Sequence, residues 1–249
     1  MDIKAYLERI HYMGPLMPAF ESLRDLQVSH LLSVPFENLS IHANEPILLQ
    51  ERSLFDKIVL RRRGGFCYEL NGLFAALLHR LGFNVKMLSA GVARTEGGFG
   101  PDFDHMTLMV SLEEKWLVDV GFGDSFRQPL LIDRRDVQVQ GDRLYQIDDD
   151  GVYLILKERD GEGAWKPQYR FTLQPRQLAD FADMCHYHQT SPESSFTQQR
   201  VCSKAKTDGR VTLSDMRLIV TQGHQRRERI LVDGAEYTAV LAEEFGINM

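Results

Sequence analysis

Three residues in the first half of the chain have the types needed for a nucleophilic centre. Cys67 follows Gly64, Gly65 and Phe66 and opens a long apolar run. A helix N-terminus favours a thiolate, because its unpaired N–H groups and the helix dipole stabilise negative charge. Free cysteine is ordinarily a small buried hydrophobe, so the position of Cys67 singles it out, not its type. A thiol nucleophile also needs a base. His105 offers an imidazole at the start of the string HMTLMV. Asp119 sits inside the apolar string WLVDVGF, where a carboxylate is costly unless it finds a partner. An imidazole would serve. Cysteine, histidine and aspartate in that order would form a thiolate–imidazolium pair with the aspartate fixing the ring. The combination of helix terminus and imidazole predicts a Cys67 thiol more acidic than the ordinary value of about 8.5.

The elements that must position these residues follow from periodicity. Residues 2–12 and 19–33 carry apolar positions at helical spacing, and Pro35 closes the second stretch. Residues 53–60 predict a further helix. Leu70, Leu73, Phe74, Leu77, Leu78 and Leu81 lie on one face of a helix that begins at Cys67 and ends at Gly82. From Val85 the texture changes to alternation. Met106, Leu108, Val110 and Leu112 form one face, Glu113 and Glu114 mark a turn, and Trp116, Val118 and Val120 continue on a second strand. Short strands are expected at 129–133, 143–147, 151–158 and 168–173, a helix at 176–188, strands near 210–220 and 228–233, and a terminal helix at 235–245. Helices first and strands afterwards predict an α+β fold and exclude βαβ winding.

This reading contains a conflict. A plain hairpin with a two-residue turn at Glu113-Glu114 would set Leu112 opposite Lys115 and Asp119 opposite Leu108. Asp119 would then stand about 10 Å along the strand from His105 and on the other face. A working triad requires a longer loop, a β-bulge, or a sharp bend near Asp119 and Gly121.

Several strings together resemble the arylamine N-acetyltransferase family: VPFENL at 34–39, RRGGFCYELNGLF at 62–74, HMTLMV from His105, WLVDVGFG at 116–123 and YHQTSPESSF at 187–196. They span about residues 5 to 245. The resemblance implies Cys67, His105 and Asp119 as catalytic residues, arranged much as in papain-like proteases. It implies a helical N-terminal bundle (1–86), a central antiparallel β-barrel (87–176) and a helical linker with an α/β lid (177–249). It implies acetyl-CoA as donor and small aromatic amines, hydrazines or hydroxylamines as acceptors, by a ping-pong route through an acetyl-Cys67 thioester. Phe36, Val92 and Phe122 then resemble pocket residues, and Gly121 and Gly123 a glycine turn whose N–H groups could face the donor's pyrophosphate. Arg63 would pair with Glu37. Met216 and Leu218 stand where several members carry an aromatic in the acceptor pocket. A macrolactam-forming amide synthase of the same family, and a thiol hydrolase or transglutaminase with the same triad, are the rival activities.

The bulk properties fit a folded enzyme. The 249 residues are 43% hydrophobic, ample for a buried core. A net charge of −6 argues against a nucleic-acid surface, and no apolar run approaches the ~18 residues of a membrane span. Acidic Asp2 and Glu8 do not suit a secretory signal, and three cysteines do not make a disulfide framework, so a cytoplasmic enzyme is expected. Cys185, His186 and His188 are close in sequence but lack a second ligand pair, so no metal is expected there.

Overall fold

Burial of the apolar helical faces builds the N-terminal part of the molecule, of which the computed structural model describes residues 1–248. The chain runs through α1 (Ile3–Arg9), α2 (Phe20–Ser33), a two-residue strand β1 (Phe36–Glu37), α3 (Leu39–His42) and α4 (Glu51–Phe55) to α5 (Cys67–Arg80). A π-helical turn, Asp56–Leu60, replaces the last part of the helix expected at 53–60. Gly82 ends α5 with φ +88°, a conformation that costs glycine nothing. Leu70, Leu73, Phe74, Leu77 and Leu78 are fully buried, each contributing roughly 1.5–3 kcal/mol of apolar burial.

α5 lies against the first strands of an eight-stranded antiparallel sheet that curls into a nearly closed barrel. Its strands are β2 (Asn84–Val92), β3 (His105–Ser111), β4 (Lys115–Val118), β5 (Leu130–Leu131), β6 (Gln138–Gln140), β7 (Arg143–Asp149), β8 (Leu154–Asp160) and β9 (Lys166–Arg176). Their spatial order is β5-β4-β3-β2-β9-β8-β7-β6. Side-chain amides join the two end strands. Gln138 Oε1 accepts from Leu131 N–H at 2.8 Å, and its Nε2 donates to Leu131 C=O at 2.9 Å. Gln140 does the same for Arg127, Gln128 and the Gln128 carbonyl. β3 is buried on both faces, with Leu108 and Val110 against α5 and Met109 toward the barrel core.

The β3–β4 hairpin resolves the conflict in the sequence. Ser111 pairs with Lys115, Val110 with Trp116 and Leu108 with Val118. The loop therefore holds three residues, Leu112 to Glu114, closed by Leu112 N–H to Glu114 C=O at 2.9 Å. Continued along the strand, this register sets Asp119 opposite Thr107, two positions from His105 and on its face. One added loop residue exchanges the two faces of a strand, because side chains alternate with period two.

A 3₁₀ turn (Leu178–Phe181), α6 (Ala182–Thr190) and α7 (Ser195–Gln198) lead to a second antiparallel sheet. It contains β10 (Val201–Lys206), β11 (Gly209–Ser214), β12 (Arg217–Gln222) and β13 (Gln225–Ile230), in the order β1-β10-β11-β12-β13. Four strands form where two were expected. Their loops, Thr207-Asp208, Asp215-Met216 and Gly223-His224, are two residues each, and positive φ at Asp215 and Gly223 turns the chain. α8 (Gly234–Val240) and the π turn Leu241–Phe245 cover this sheet. Leu218 is buried there with Leu213, Leu241 and Phe245, and Met216 packs against the same cluster. Both belong to the core of the second sheet.

Candidate active site

Cys67 is the first residue of α5, after Phe66 in an extended conformation. The N–H groups of Cys67 and Tyr68 have no partner among the described residues, as expected of the first helical turn. Glu69 fixes that turn: its Oε2 accepts from Phe66 N–H at 3.1 Å, and Lys57 Nζ grips its carboxylate at 2.8 and 3.0 Å. The same buried network contains Arg63, whose guanidinium meets Glu37 Oε1 at 3.0 Å, so the expected Arg63–Glu37 pair is present.

His105 opens β3. Its Nε2–H donates to Asp119 Oδ2 at 2.7 Å, which leaves Nδ1 to take a proton. Asp119 accepts three further bonds. Tyr169 Oη donates to Oδ2 at 3.2 Å, and Asn71 Nδ2 and Gly121 N–H donate to Oδ1 at 2.9 and 2.8 Å. Burial alone would raise the Asp119 pKa. The charge of His105 and the hydrogen bonds from His105, Asn71 and Gly121 outweigh it and hold the carboxylate below its usual range.

Asn71 lies one helical turn beyond Cys67 and joins α5 to both strands. Its Nδ2 also donates to Met106 C=O at 2.6 Å, and its Oδ1 accepts from Val120 N–H at 2.9 Å. The peptide that follows Met106, one residue on from His105, is thus held by Asn71.

The Cys67 thiol is not acidified by its helix terminus. Burial pushes it well up; the Met106 N–H opposes this and the charge of Asp119 adds to it. The cause is the near-complete removal of the sulfur from water, which the sequence does not reveal. A lone thiolate is disfavoured here. Asp119, bonded to His105 at 2.7 Å, is placed to stabilise that ring when it carries a proton.

Of the residues expected to bind, Phe122 lies directly against His105. Phe122 meets the His105 ring edge-on at 5.2 Å between centroids, and Tyr169 lies 5.1 Å from the same ring. Val92 ends β2, donates its N–H to Asp104 Oδ2 at 3.2 Å, and shares with Phe122 a cavity of about 440 Å³. Phe36 packs 3.7 Å from where a Cβ on Gly123 would lie, and Gly123 itself has φ +91°. Gly121 differs from expectation. Its N–H is bound to Asp119, so it is not free for a pyrophosphate. A Cβ there would lie 2.8 Å from Cys67 Cα and 2.7 Å from Asn71 Nδ2, so close packing is what requires the glycine. No cluster of three or more His, Cys, Asp or Glu among the described residues is placed to hold a metal ion, and His188 instead contacts Ser194 Oγ at 3.0 Å and Asp104 Oδ1 at 3.3 Å.

The model of the family described as N-acetyltransferase matches residues 19–249. The arylamine N-acetyltransferase pineal gland isozyme NAT-3 of Gallus gallus is 34% identical over all of this chain and 95% of its own length. The chain belongs to the arylamine N-acetyltransferase family. The solved structure of Mycobacterium marinum arylamine N-acetyltransferase in complex with CoA superposes with a TM-score of 0.91 at 33% identity, covering 99% of this chain and 93% of that one. A further relative, proansamycin X synthase of Amycolatopsis mediterranei, is 30% identical over 97% of this chain and 95% of its own. The chain is accordingly an acyltransferase of α+β fold.

Within this member of the family, Asn71 and Tyr169 were not singled out by the sequence. Asn71 carried a signal: it is four residues after Cys67 and so shares its helix face. Tyr169 carried none, because β9 reaches the site only through sheet pairing with β2, which sets Tyr169 opposite Val92.

Proposed function

We propose that this chain transfers acetyl from acetyl-CoA to the nitrogen of aromatic amines, hydrazines or hydroxylamines, through an acetyl thioester on Cys67. The observation that carries this reading is the carboxylate of Asp119, bonded by four donors and joined to His105 at 2.7 Å. Asp119 fixes the ring with Nδ1 available, and His105 Nδ1 takes the Cys67 proton as the sulfur attacks the donor carbonyl. The free N–H groups of Cys67 and Tyr68 are suited to receive the developing oxyanion. The imidazolium returns its proton to the departing CoA sulfur. In the second half-reaction the amine attacks acetyl-Cys67, His105 takes the amine proton, and the thiol is regenerated. An aromatic amine suits this site because it is largely neutral near pH 7, so its lone pair is free, and it is flat enough for the wall formed by Phe122.

Kinetics should be ping-pong. Intact mass measured after acetyl-CoA alone should rise by one acetyl, mapped to Cys67 and missing in Cys67→Ser. No covalent acetyl on the folded wild-type protein would end this reading. The proansamycin X synthase relative favours amide synthesis as the second activity. A cavity of about 440 Å³ suits a one- or two-ring amine better than a macrocycle precursor, and turnover of small arylamines with acetyl-CoA separates the two. Three free, buried cysteines suit a reducing compartment, the cytoplasm.

A further inference from the structure

The cavity that Phe122 lines has an apolar and a charged share of its lining. Val92, Ala93 and Phe122 supply the apolar part, and Asp124, Arg143, Glu158, Asp160 and Lys166 the charged wall. Phe122 touches the His105 ring, so a flat ring lying on Phe122 has one end near the reacting centre and can direct the other to the charged wall. Arg143 on that wall is already paired with carboxylates. Its Nη1 and Nη2 donate to Asp124 at 2.8 and 3.1 Å, Glu158 Oε1 lies 3.3 Å from Nη1, and Asp160 lies 3.9 Å from Nε. Glu158 has only 13% of its side chain exposed, whereas Lys166 faces it across the β8–β9 ladder as an exposed rim residue.

We propose that this wall selects acceptors by the charge of the end remote from the amine, accepting neutral or cationic groups and rejecting a carboxylate. The inference rests on the acyl-transfer reading above. A carboxylate brought to this wall meets three carboxylates, with Arg143 already paired to Asp124 and Glu158 and Arg210 already paired to Asp124. The Lys166 ammonium at the rim is screened by water. An uncompensated charge is costly in such a place, while an amide or ammonium of the same size finds acceptor oxygens. The rejection is pH-dependent. Burial pushes Glu158 up to about 7, with Arg143 and Lys166 opposing and Asp124 and Asp160 adding to the rise. Tyr145 on β7 and Gln168 on β9 also face Glu158. Below that pH Glu158 takes up a proton, ceases to repel an anion and loosens its hold on Arg143.

The test compares kcat/KM for 4-aminobenzamide and 4-aminobenzoate, which have similar size and carry an electron-withdrawing group at the same ring position. At about pH 8 the amide should be favoured by about tenfold or more. The ratio should contract several-fold at about pH 6, where the aromatic carboxylate is still ionised and Glu158 is not. Glu158→Gln should contract the ratio at the higher pH and remove its pH dependence. A ratio near one at both pH values, or a ratio unchanged by Glu158→Gln, overturns the proposal. If that variant does not fold, the pH dependence of the wild-type ratio decides alone. Failure to take either amine while Cys67 still acetylates also overturns it. Failure of Cys67 to acetylate removes the acyl-transfer reading itself.

Discussion

Replacing Asn71 by alanine removes the clamp between the nucleophile's helix and both strands of the site. Three groups lose a partner: Met106 C=O, Val120 N–H and Asp119 Oδ1. Asp119 Oδ1 keeps the Gly121 N–H, whereas the two backbone groups lose the side-chain partner that satisfied them. An orphaned buried backbone group costs about 1–3 kcal/mol, and a lost charge-assisted bond about 1.5–3 kcal/mol. With water entering the vacated space to recover part of this, a loss of about 4 kcal/mol is expected. That is a large share of a typical stability of about 5–15 kcal/mol, and for a chain of this size it lowers Tm by about 10 °C. Urea unfolding with linear extrapolation measures the stability change, and single-turnover acetylation of Cys67 measures the chemistry. The acetylation rate should fall by more than about tenfold even well below the unfolding midpoint, because His105 precedes Met106 and is bonded to Asp119, both of which lose their Asn71 partner. A stability change under about 1 kcal/mol would show that these three bonds are not the clamp they are taken to be. Full stability loss with an unchanged acetylation rate would show that Asn71 holds the fold and not the site.

Arg63→Met should destabilise by about 3–5 kcal/mol in thermal or urea unfolding, because Glu37 then keeps the Leu39 N–H but only the more distant Lys57 as a cation, and Arg63→Met with Glu37→Gln should recover part of the loss. Gly121→Ala forces a Cβ onto the Cys67 backbone, so kcat should drop by more than about tenfold in steady-state assays; near-normal kcat would contradict the packing. In His105→Gln the Cys67 thiol loses its proton acceptor, and iodoacetamide alkylation should move to more alkaline pH than in the wild type; overlapping profiles would disprove the proton transfer. His30 is buried, and burial pushes it down to about 3 from an ordinary value near 6.5. The unfolded chain therefore binds the proton first, and stability falls as pH drops from about 6.5 toward 3, by up to about 1.4 kcal/mol per pH unit. His30→Gln should flatten that slope in unfolding measured between about pH 6 and 4, and an unchanged slope would place the acid sensitivity elsewhere.

The helical part of the fold was legible because its signals are local. Gly64-Gly65, the apolar face from Leu70 to Leu81 and the terminal Gly82 define α5 without reference to the rest of the chain, and they place Cys67 at its start. The candidate triad was legible in its residue types but not in its geometry. A turn of Glu113-Glu114 and a loop of Leu112 to Glu114 differ by one residue, and no propensity decides between them; because β3 is buried on both faces, its hydrophobic pattern does not decide either. The thiol's acidity was misjudged for the same reason, since desolvation is a property of everything packed around Cys67. The extra strands at 201–230 were missed because Asp215-Met216 is a poor match to the usual hairpin turns, although Asp215 adopts the positive φ such a turn needs.

The amide bridges between β5 and β6 give the barrel an unusual kind of weak point. Everywhere else its strands are joined by backbone groups, which every residue but proline supplies, so no ordinary substitution can delete a rung. Along this one seam the rungs are written in the genetic code: two glutamine codons, at 138 and 140, specify the bonds to Leu131, Arg127 and Gln128. Single-base changes can thus unlatch the barrel there while every core side chain stays in place. The segment so unlatched, still tied to the second sheet by Arg127, follows the turn of Gly121 to Ser125, with Phe122 on the imidazole. Drift at these two positions is therefore a route by which the barrel edge next to Phe122 can change without altering any residue that lines the cavity there.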